Sequence, residues 1–362
     1  MSSNLQALSD AGVSIWLDDL SRDRLQSGSL AELIATSNVV GVTTNPSIFA
    51  AAIKGSQLYK EDILALKAQG ENVISIVTTL TTSDVKEACE LFLGVYESTN
   101  NVDGRVSIEV EPSLAHDSAA TVLQGKALWE LVDRPNLLVK VPATLEGLPA
   151  IRELTAAGIS INVTLIFSVQ RYEKVMDSYL AGLEERVAAG LPIDQIHSVA
   201  SFFVSRIDTE IDKRLDAIYV HSPLRGKSAV ANAVLAYEAY LQMISSPRWQ
   251  ELVKHGANQQ RPLWASTGVK DKAYESTRYV IDLVARNCVN TMPEATLNET
   301  REHGTVLGDT ITPAITEAPL HFVALREAGV DFEDVVALLE KEGVKKFADA
   351  WQELLDNVSA VS

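Results

Sequence analysis

Two charged residues sit inside runs that are otherwise apolar. Lys140 lies within Leu137-Leu138-Val139-Lys140-Val141, and Glu109 within Val106-Ser107-Ile108-Glu109-Val110. Lysine and glutamate are almost never fully buried without a partner. One reading is a structural Lys140–Glu109 ion pair. The other is chemical. Burial disfavours the charged form of an amine and frees its lone pair to attack a carbonyl. A carboxyl group close by can then move protons through water.

More polar residues end other apolar runs. Asp18 follows Val13–Leu17, Asn45 follows Val39–Thr43, and Asn162 and Thr164 bracket the end of Ile159–Val163. Ser201 and Arg206 belong to Val199–Val204 and its exit, and Ser266 ends Pro262–Ala265. Each has a plainer reading when taken alone. Asp18 would cap the helix that follows, and Asn45 before Pro46 would form a turn. Ser201 and Ser266 would fill space, and Arg206 would share a solvated helix face with Asp208 and Asp212. Lysine, glutamate and aspartate converging with Asn, Thr and Ser suggest Schiff-base chemistry on a ketose.

Such convergence needs strands whose ends meet. Nine β-rich runs can be read: Val13–Leu17, Val39–Thr43, Val73–Ile76, Val106–Val110, Leu137–Val141, Ile159–Val163, Val199–Val204, Pro262–Ala265 and Cys288–Asn290. Several are apolar almost throughout, as strands covered on both faces are. Helical patterns alternate with them, at Ser118–Leu131, Gln170–Ala188, Ser205–Tyr219 and Ala229–Ile244. The alternation argues for parallel βαβ units. In a (β/α)8 TIM barrel the strand C-termini form one mouth, and the loops there carry the chemistry. Nine is one strand too many, and the weakest is Val73–Ile76, which runs into the threonine-rich stretch Thr78–Thr82. No linker or repeat interrupts the pattern, so residues 1–362 read as a single barrel domain. Residues 313–362 have helical spacing and no strand, and are expected to pack across the outside or one mouth of the barrel.

Composition narrows the function classes. With 362 residues, 46% hydrophobic and 22% charged, the chain can bury a large core, which excludes disordered and collagen-like classes. Lys+Arg 31 against Asp+Glu 48 gives a net charge of −17, which repels a nucleic-acid backbone but leaves room for a small phosphorylated substrate held by local cations. Cys89 and Cys288 form no metal spacing and read as reduced, buried thiols. Met1–Asp10 lacks the pattern of a signal peptide, and no apolar run reaches the roughly 20 residues of a membrane span. A cytoplasmic protein is expected. There is no G-x-G-x-x-G after a strand, no P-loop and no His/Cys cluster, so no cofactor and no metal are expected.

Four motifs carry a resemblance. Gly41-Val42-Thr43-Thr44-Asn45-Pro46-Ser47-Ile48-Phe49 resembles the transaldolase signature after the second barrel strand. Leu137-Leu138-Val139-Lys140-Val141-Pro142-Ala143-Thr144 is similar to the stretch around that family's Schiff-base lysine. Ile161-Asn162-Val163-Thr164-Leu165-Ile166-Phe167-Ser168 and Ser201-Phe202-Phe203-Val204-Ser205-Arg206-Ile207-Asp208 follow in the family's order. The likeness runs from about Val13 to Asp309 and is closest to the long bacterial transaldolases. It implies that Lys140 forms the imine with the donor ketose and that Asp18 takes the hydroxyl proton as the C3–C4 bond breaks. Glu109 and Thr164 would hold a proton-relay water. Asn45, Asn162 and Ser201 would hydrogen-bond the dihydroxyacetone part, and Arg206 would hold the phosphate.

One departure stands out. Many transaldolases carry a second phosphate-binding arginine just past the seventh strand, where this chain reads Trp264-Ala265-Ser266-Thr267-Gly268-Val269-Lys270-Asp271. Lys270, with Ser266 and backbone N–H groups near Gly268, would substitute as a point charge without the bidentate fork. The resemblance implies a cofactor-free enzyme of the pentose phosphate pathway acting on sugar phosphates, as a monomer or homodimer. The rival readings are another Schiff-base aldolase, such as a fructose 6-phosphate aldolase, and a non-catalytic barrel scaffold.

Overall fold

Apolar, β-branched runs form the strands: β1 Val13–Leu17, β2 Val39–Val42, β3 Arg105–Glu109, β4 Leu137–Pro142, β5 Ile161–Ile166, β6 Ser198–Phe203, β7 Gln260–Ala265 and β8 Cys288–Met292. The computed structural model describes residues 3–219 and 221–362. The strands pair in parallel in sequence order, and β1 pairs with β8 to close the barrel. The (β/α)8 expectation therefore holds. Cys89 and Cys288 are both buried free thiols. Among the described residues, no helix is long and apolar enough to cross a membrane.

The ninth run is corrected. Val73–Ile76 is the first turn of a 26-residue helix, Val73–Ser98, capped by Asn72 accepting from the Ser75 N–H. Its residues Ile76, Val77, Leu80, Val85, Ala88, Cys89 and Phe92 are buried at helical spacing. β5 also runs later than expected, because Ile159 still closes the preceding helix through Ile159 N–H to Leu154 O at 3.1 Å. Between Val163 and Ile166 the β5–β6 register shifts, with Leu165 at φ 61°. Such irregularities re-aim side chains beside a site. The four expected helices lie within one residue of the observed ones at either end.

Gly41 on β2 makes a close approach possible. A Cβ there would meet the Trp16 ring at 2.6 Å. Trp16 is fully buried and pinned by its Nε1–H to Asp103 at 3.2 Å, so the ring has little room to yield. Gly41→Ala should lower stability by about 1–3 kcal/mol through overpacking, measured by denaturant unfolding. An unchanged midpoint would mean that β2 can shift away from β1. At the same end, Asp103 accepts from Ser14 Oγ at 2.7 Å and from Arg261 at 2.9 Å, tying β1, β7 and the entry to β3 together.

The C-terminal segment takes both expected placements: its first helix packs on the outer helix Ser228–Ser245, and its last reaches the mouth. It holds the helices Ala318–Glu327 and Phe332–Ala360. The latter buries Val335, Leu339, Gly343, Phe347, Ala350, Leu354 and Val358, a stripe at three- and four-residue spacing. It packs against the helices Pro46–Gly55, Val73–Ser98 and Ser205–Ile218. A Cβ on Gly343 would lie 3.0 Å from Leu165 Cδ2, so the helix comes close to the end of β5.

Candidate active site

Parallel register sets the central layer. Glu109 on β3 pairs with Lys140 on β4, which pairs with Asn162 on β5. Lys140 Nζ donates to the Thr44 carbonyl at 3.0 Å and lies 3.4 Å from Glu109 Oε2. That separation makes an ion pair but a poor hydrogen bond. Each of the two side chains exposes only 5% of its surface. Lys140 and Glu109 are thus within ion-pair distance, and Lys140 also lines a cavity.

The cavity, about 570 Å³, opens at the C-terminal mouth. Its wall includes Asp18, Asn45, Lys140, Ser201, Arg206, Ser266 and Lys270. Seven of the ten residues singled out by sequence therefore share one cavity. Glu109, Asn162 and Thr164 do not line it: Glu109 and Asn162 flank Lys140 on the neighbouring strands, and Thr164 pairs with Pro142, two residues further along. A second cavity, about 710 Å³, lies between the helices Val169–Ala188 and Ala318–Glu327 and contains none of the ten.

Asp18 does not cap the helix after it. The cap of Arg22–Ser27 is Ser21, accepting from Arg24 N–H. Asp19 is taken by Arg24 at 2.6 Å, which leaves Asp18 as the carboxylate without an ion pair. Thr43 Oγ1 donates to Asp18 Oδ1 at 2.7 Å and lies 2.6 Å from Thr291 Oγ1. Because Thr43 spends its one hydroxyl proton on Asp18, Thr291 is the donor in the second bond. Burial raises the Asp18 carboxyl above the usual range, opposed by Lys140 and by the Thr43 hydrogen bond. Burial likewise pushes Glu109 up to about 7 against the pull of Lys140.

Beside the lysine on β5, Asn162 donates to Ser107 Oγ at 3.0 Å and accepts from Ser201 Oγ at 2.7 Å. Both serines thus orient the amide, more than the space-filling first read for Ser201. Glu109 Oε2 and Thr164 Oγ1 are buried without a protein hydrogen-bond partner. Asn45, read from sequence as a turn former, caps the helix Pro46–Gly55: its Oδ1 accepts from Ile48 N–H at 3.1 Å. Its amide nitrogen forms no hydrogen bond with another described residue.

Arg206 leaves the solvated face imagined for it. Asp208 accepts from Ala229 N–H and Tyr279 Oη, and Asp212 from Gly226 N–H and Tyr274 Oη. The Arg206 guanidinium instead stacks 5.1 Å from the Phe203 ring centroid, which is 5.1 Å from that of Phe167. Ser266, at φ 57°, joins the exits of β6 and β7 through Ser205 N–H to Ser266 O at 3.1 Å. Lys270 is exposed at the rim.

Among the wall residues that the sequence reading does not single out are Thr291 of β8 and Lys346 and Phe347 of the C-terminal helix. Lys140 Nζ lies 5.8 Å from the Phe347 ring centroid. Periodicity marks Phe347 as a core residue, but no local signal tells which surface its helix covers.

Known sequences agree with this layout. A sequence profile of the Transaldolase/Fructose-6-phosphate aldolase family matches residues 15–358. A Saccharopolyspora erythraea transaldolase is 56% identical over 98% of this chain and 97% of its own length. A Thermobifida fusca transaldolase is 55% identical over 99% of this chain and 98% of its own. A Mycolicibacterium smegmatis transaldolase is 56% identical over 98% and 96%. With a closed parallel barrel, a lysine at the base of its mouth and near-complete coverage by these relatives, the chain belongs to the transaldolase/fructose-6-phosphate aldolase family.

Proposed function

We propose that the chain is a transaldolase that carries a dihydroxyacetone unit from a ketose phosphate to an aldose phosphate on Lys140. The observation that carries this reading is the buried Lys140 lining a cavity, with Glu109 3.4 Å from its amine and Asp18 on the cavity wall. Lys140 attacks the C2 carbonyl, and loss of water gives a protonated imine. Asp18, as carboxylate, takes the proton of the C4 hydroxyl; the C3–C4 bond breaks and its electron pair enters the imine as an enamine. The aldose phosphate leaves. The enamine then attacks the aldehyde of a second aldose phosphate, and Asp18 returns the proton. Glu109 and Thr164, whose buried oxygens lack protein partners, hold the water that relays protons while the imine forms and hydrolyses. Asn45 and Ser201 hydrogen-bond the dihydroxyacetone part, with Asn162 bound to Ser201. Ser266, Lys270 and Arg206 face the phosphate.

The C-terminal helix contributes Phe347 to a cavity built by barrel strands, which supports one folded unit for the whole chain. The buried free thiols suit a reducing cytoplasm, where the enzyme works as a monomer or homodimer.

Borohydride reduction with fructose 6-phosphate tests the reading: it should fix a dihydroxyacetone-sized mass on the peptide that contains Lys140. Repeated turnover should depend on an aldose phosphate acceptor. Release of free dihydroxyacetone without one would favour a simple aldolase.

Arg206 gives a further prediction. Arg206→Met should raise KM for phosphorylated donors and acceptors by about 10–100-fold, the worth of a charge-assisted hydrogen bond of about 1.5–3 kcal/mol. KM for unphosphorylated analogues should barely move. Equal losses for both would make Arg206 structural.

A further inference from the structure

We propose that Lys346, delivered by the C-terminal helix, is a phosphate-binding residue of the substrate site. It adds a cation to Lys270, which stands in the loop after β7. The proposal rests on the transaldolase reading of the same cavity.

Arg206, Lys270 and Lys346 line one cavity, each from a different part of the chain: the exit of β6, the loop after β7 and the helix Phe332–Ala360. In a chain with 48 acidic residues, none of the three forms an ion pair or side-chain hydrogen bond with another described residue. Their neighbours behave differently. Lys345, one position earlier on the same helix, is paired with Asp349 at 2.6 Å, and Arg214, two turns past Arg206, is paired with Glu210 at 2.9 Å. The three charges share one cavity wall, and Arg206, then burial, then Lys270 hold the Lys346 amine below its ordinary range. Glu342 and Asp18 act on Arg206 only through space, without ion-pair contact, so the three like charges still repel, and a doubly charged phosphoryl group relieves that repulsion by bringing acceptors to all three.

The helix is held in register here. Phe347, next in sequence, is 5% exposed and packs over Lys140, while Gly343 lets the helix approach Leu165. Lys346 is thereby kept at the rim while the reacting carbonyl lies deeper, at Lys140. A three-point cation site would measure the distance between phosphate and carbonyl on each sugar and so select for chain length.

The test follows borohydride trapping at Lys140 against the concentration of fructose 6-phosphate and, separately, of unphosphorylated fructose. Lys346→Met should raise the half-saturating concentration of fructose 6-phosphate about tenfold and leave that of fructose unchanged. Lys346→Arg should recover most of the loss, and Lys345→Met should behave as the parent protein. Equal shifts for the two sugars, or no shift for either, overturn the proposal. If the parent protein is not trapped at all, the transaldolase reading falls, and inorganic phosphate binding measured by calorimetry decides the site by itself. Weaker binding to Lys346→Met then supports the proposal, and equal binding overturns it.

Discussion

Lys140→Ala should abolish borohydride trapping of the ketose and with it the transfer reaction, the largest effect expected of any single substitution. The imine nitrogen is the electron sink for C3–C4 cleavage, so its removal leaves no alternative route for the electron pair. The other lysines on the cavity wall, Lys270 and Lys346, stand with Arg206 in a cluster of like charge. The substitution leaves a cavity beside Glu109. That residue tolerates the change because a carboxyl that ionises only at about 7 becomes neutral readily in an apolar surround. Lys140→Met fills the volume and separates chemistry from packing. Were Lys140 only half of a structural ion pair, either variant would shift the unfolding midpoint while another lysine still carried the adduct. Mass spectrometry of the trapped peptide distinguishes these outcomes.

The site was legible because parallel barrels impose a rule that sequence obeys locally. Polar residues closing apolar runs must meet at one mouth, so Asp18, Asn45, Lys140, Ser201, Arg206 and Ser266 could be grouped without knowing a single contact, while the resemblance alone pointed to Lys270. Depth was not legible. Asn162 and Thr164 read as ending their strand, yet β5 runs on to Ile166, and the two stay off the cavity wall beside Lys140 and Pro142. Nor does sequence separate Asp18 from Asp19. The difference is that Arg24 reaches Asp19, a matter of side-chain geometry across a turn.

Val73–Ile76 misled for a local reason. Valine, isoleucine and the threonines that follow favour strands, and a four-residue run cannot show helical period. In the fold, Thr78 and Thr82 hydroxyls donate to the carbonyls of Ile74 and Thr78, four residues back, at 2.9 and 2.6 Å. Burial of one face of a long helix outweighs the β-branched preference. Asn72 as the cap was the available signal. Lys346 and Phe347 were missed because the contact between the C-terminal helix and the mouth joins residues distant in sequence, and no periodicity encodes it.

The two carboxyls should fail differently when removed, since the imine mechanism gives them different steps. Asp18→Ala should still form the imine, because Lys140, Glu109 and Thr164 remain. It should then stall before cleavage with the whole ketose attached. Glu109→Gln should slow the formation of the imine itself. General acid–base groups contribute roughly 10²–10⁴-fold, so both losses are large. Single-turnover trapping resolves them, as an intact-ketose mass accumulating in one variant and a delayed dihydroxyacetone mass in the other. pH adds a second axis. As a base toward water, Glu109 must be ionised, and its carboxyl ionises at about 7, so imine formation in the parent protein should rise as pH passes upward through that value. Glu109→Gln cannot ionise and should lose this rise, while Asp18→Ala should keep it, because Glu109 is untouched. The same raised pKa fixes the sign for stability. A carboxyl held neutral by folding stabilises the native state below its unfolded value, and that stability fades as pH climbs from there through about 7. If Asp18→Ala yields only the dihydroxyacetone adduct at normal speed, the carboxylate bound to Thr43 does no chemistry, and proton removal at C4 belongs to another group in the cavity.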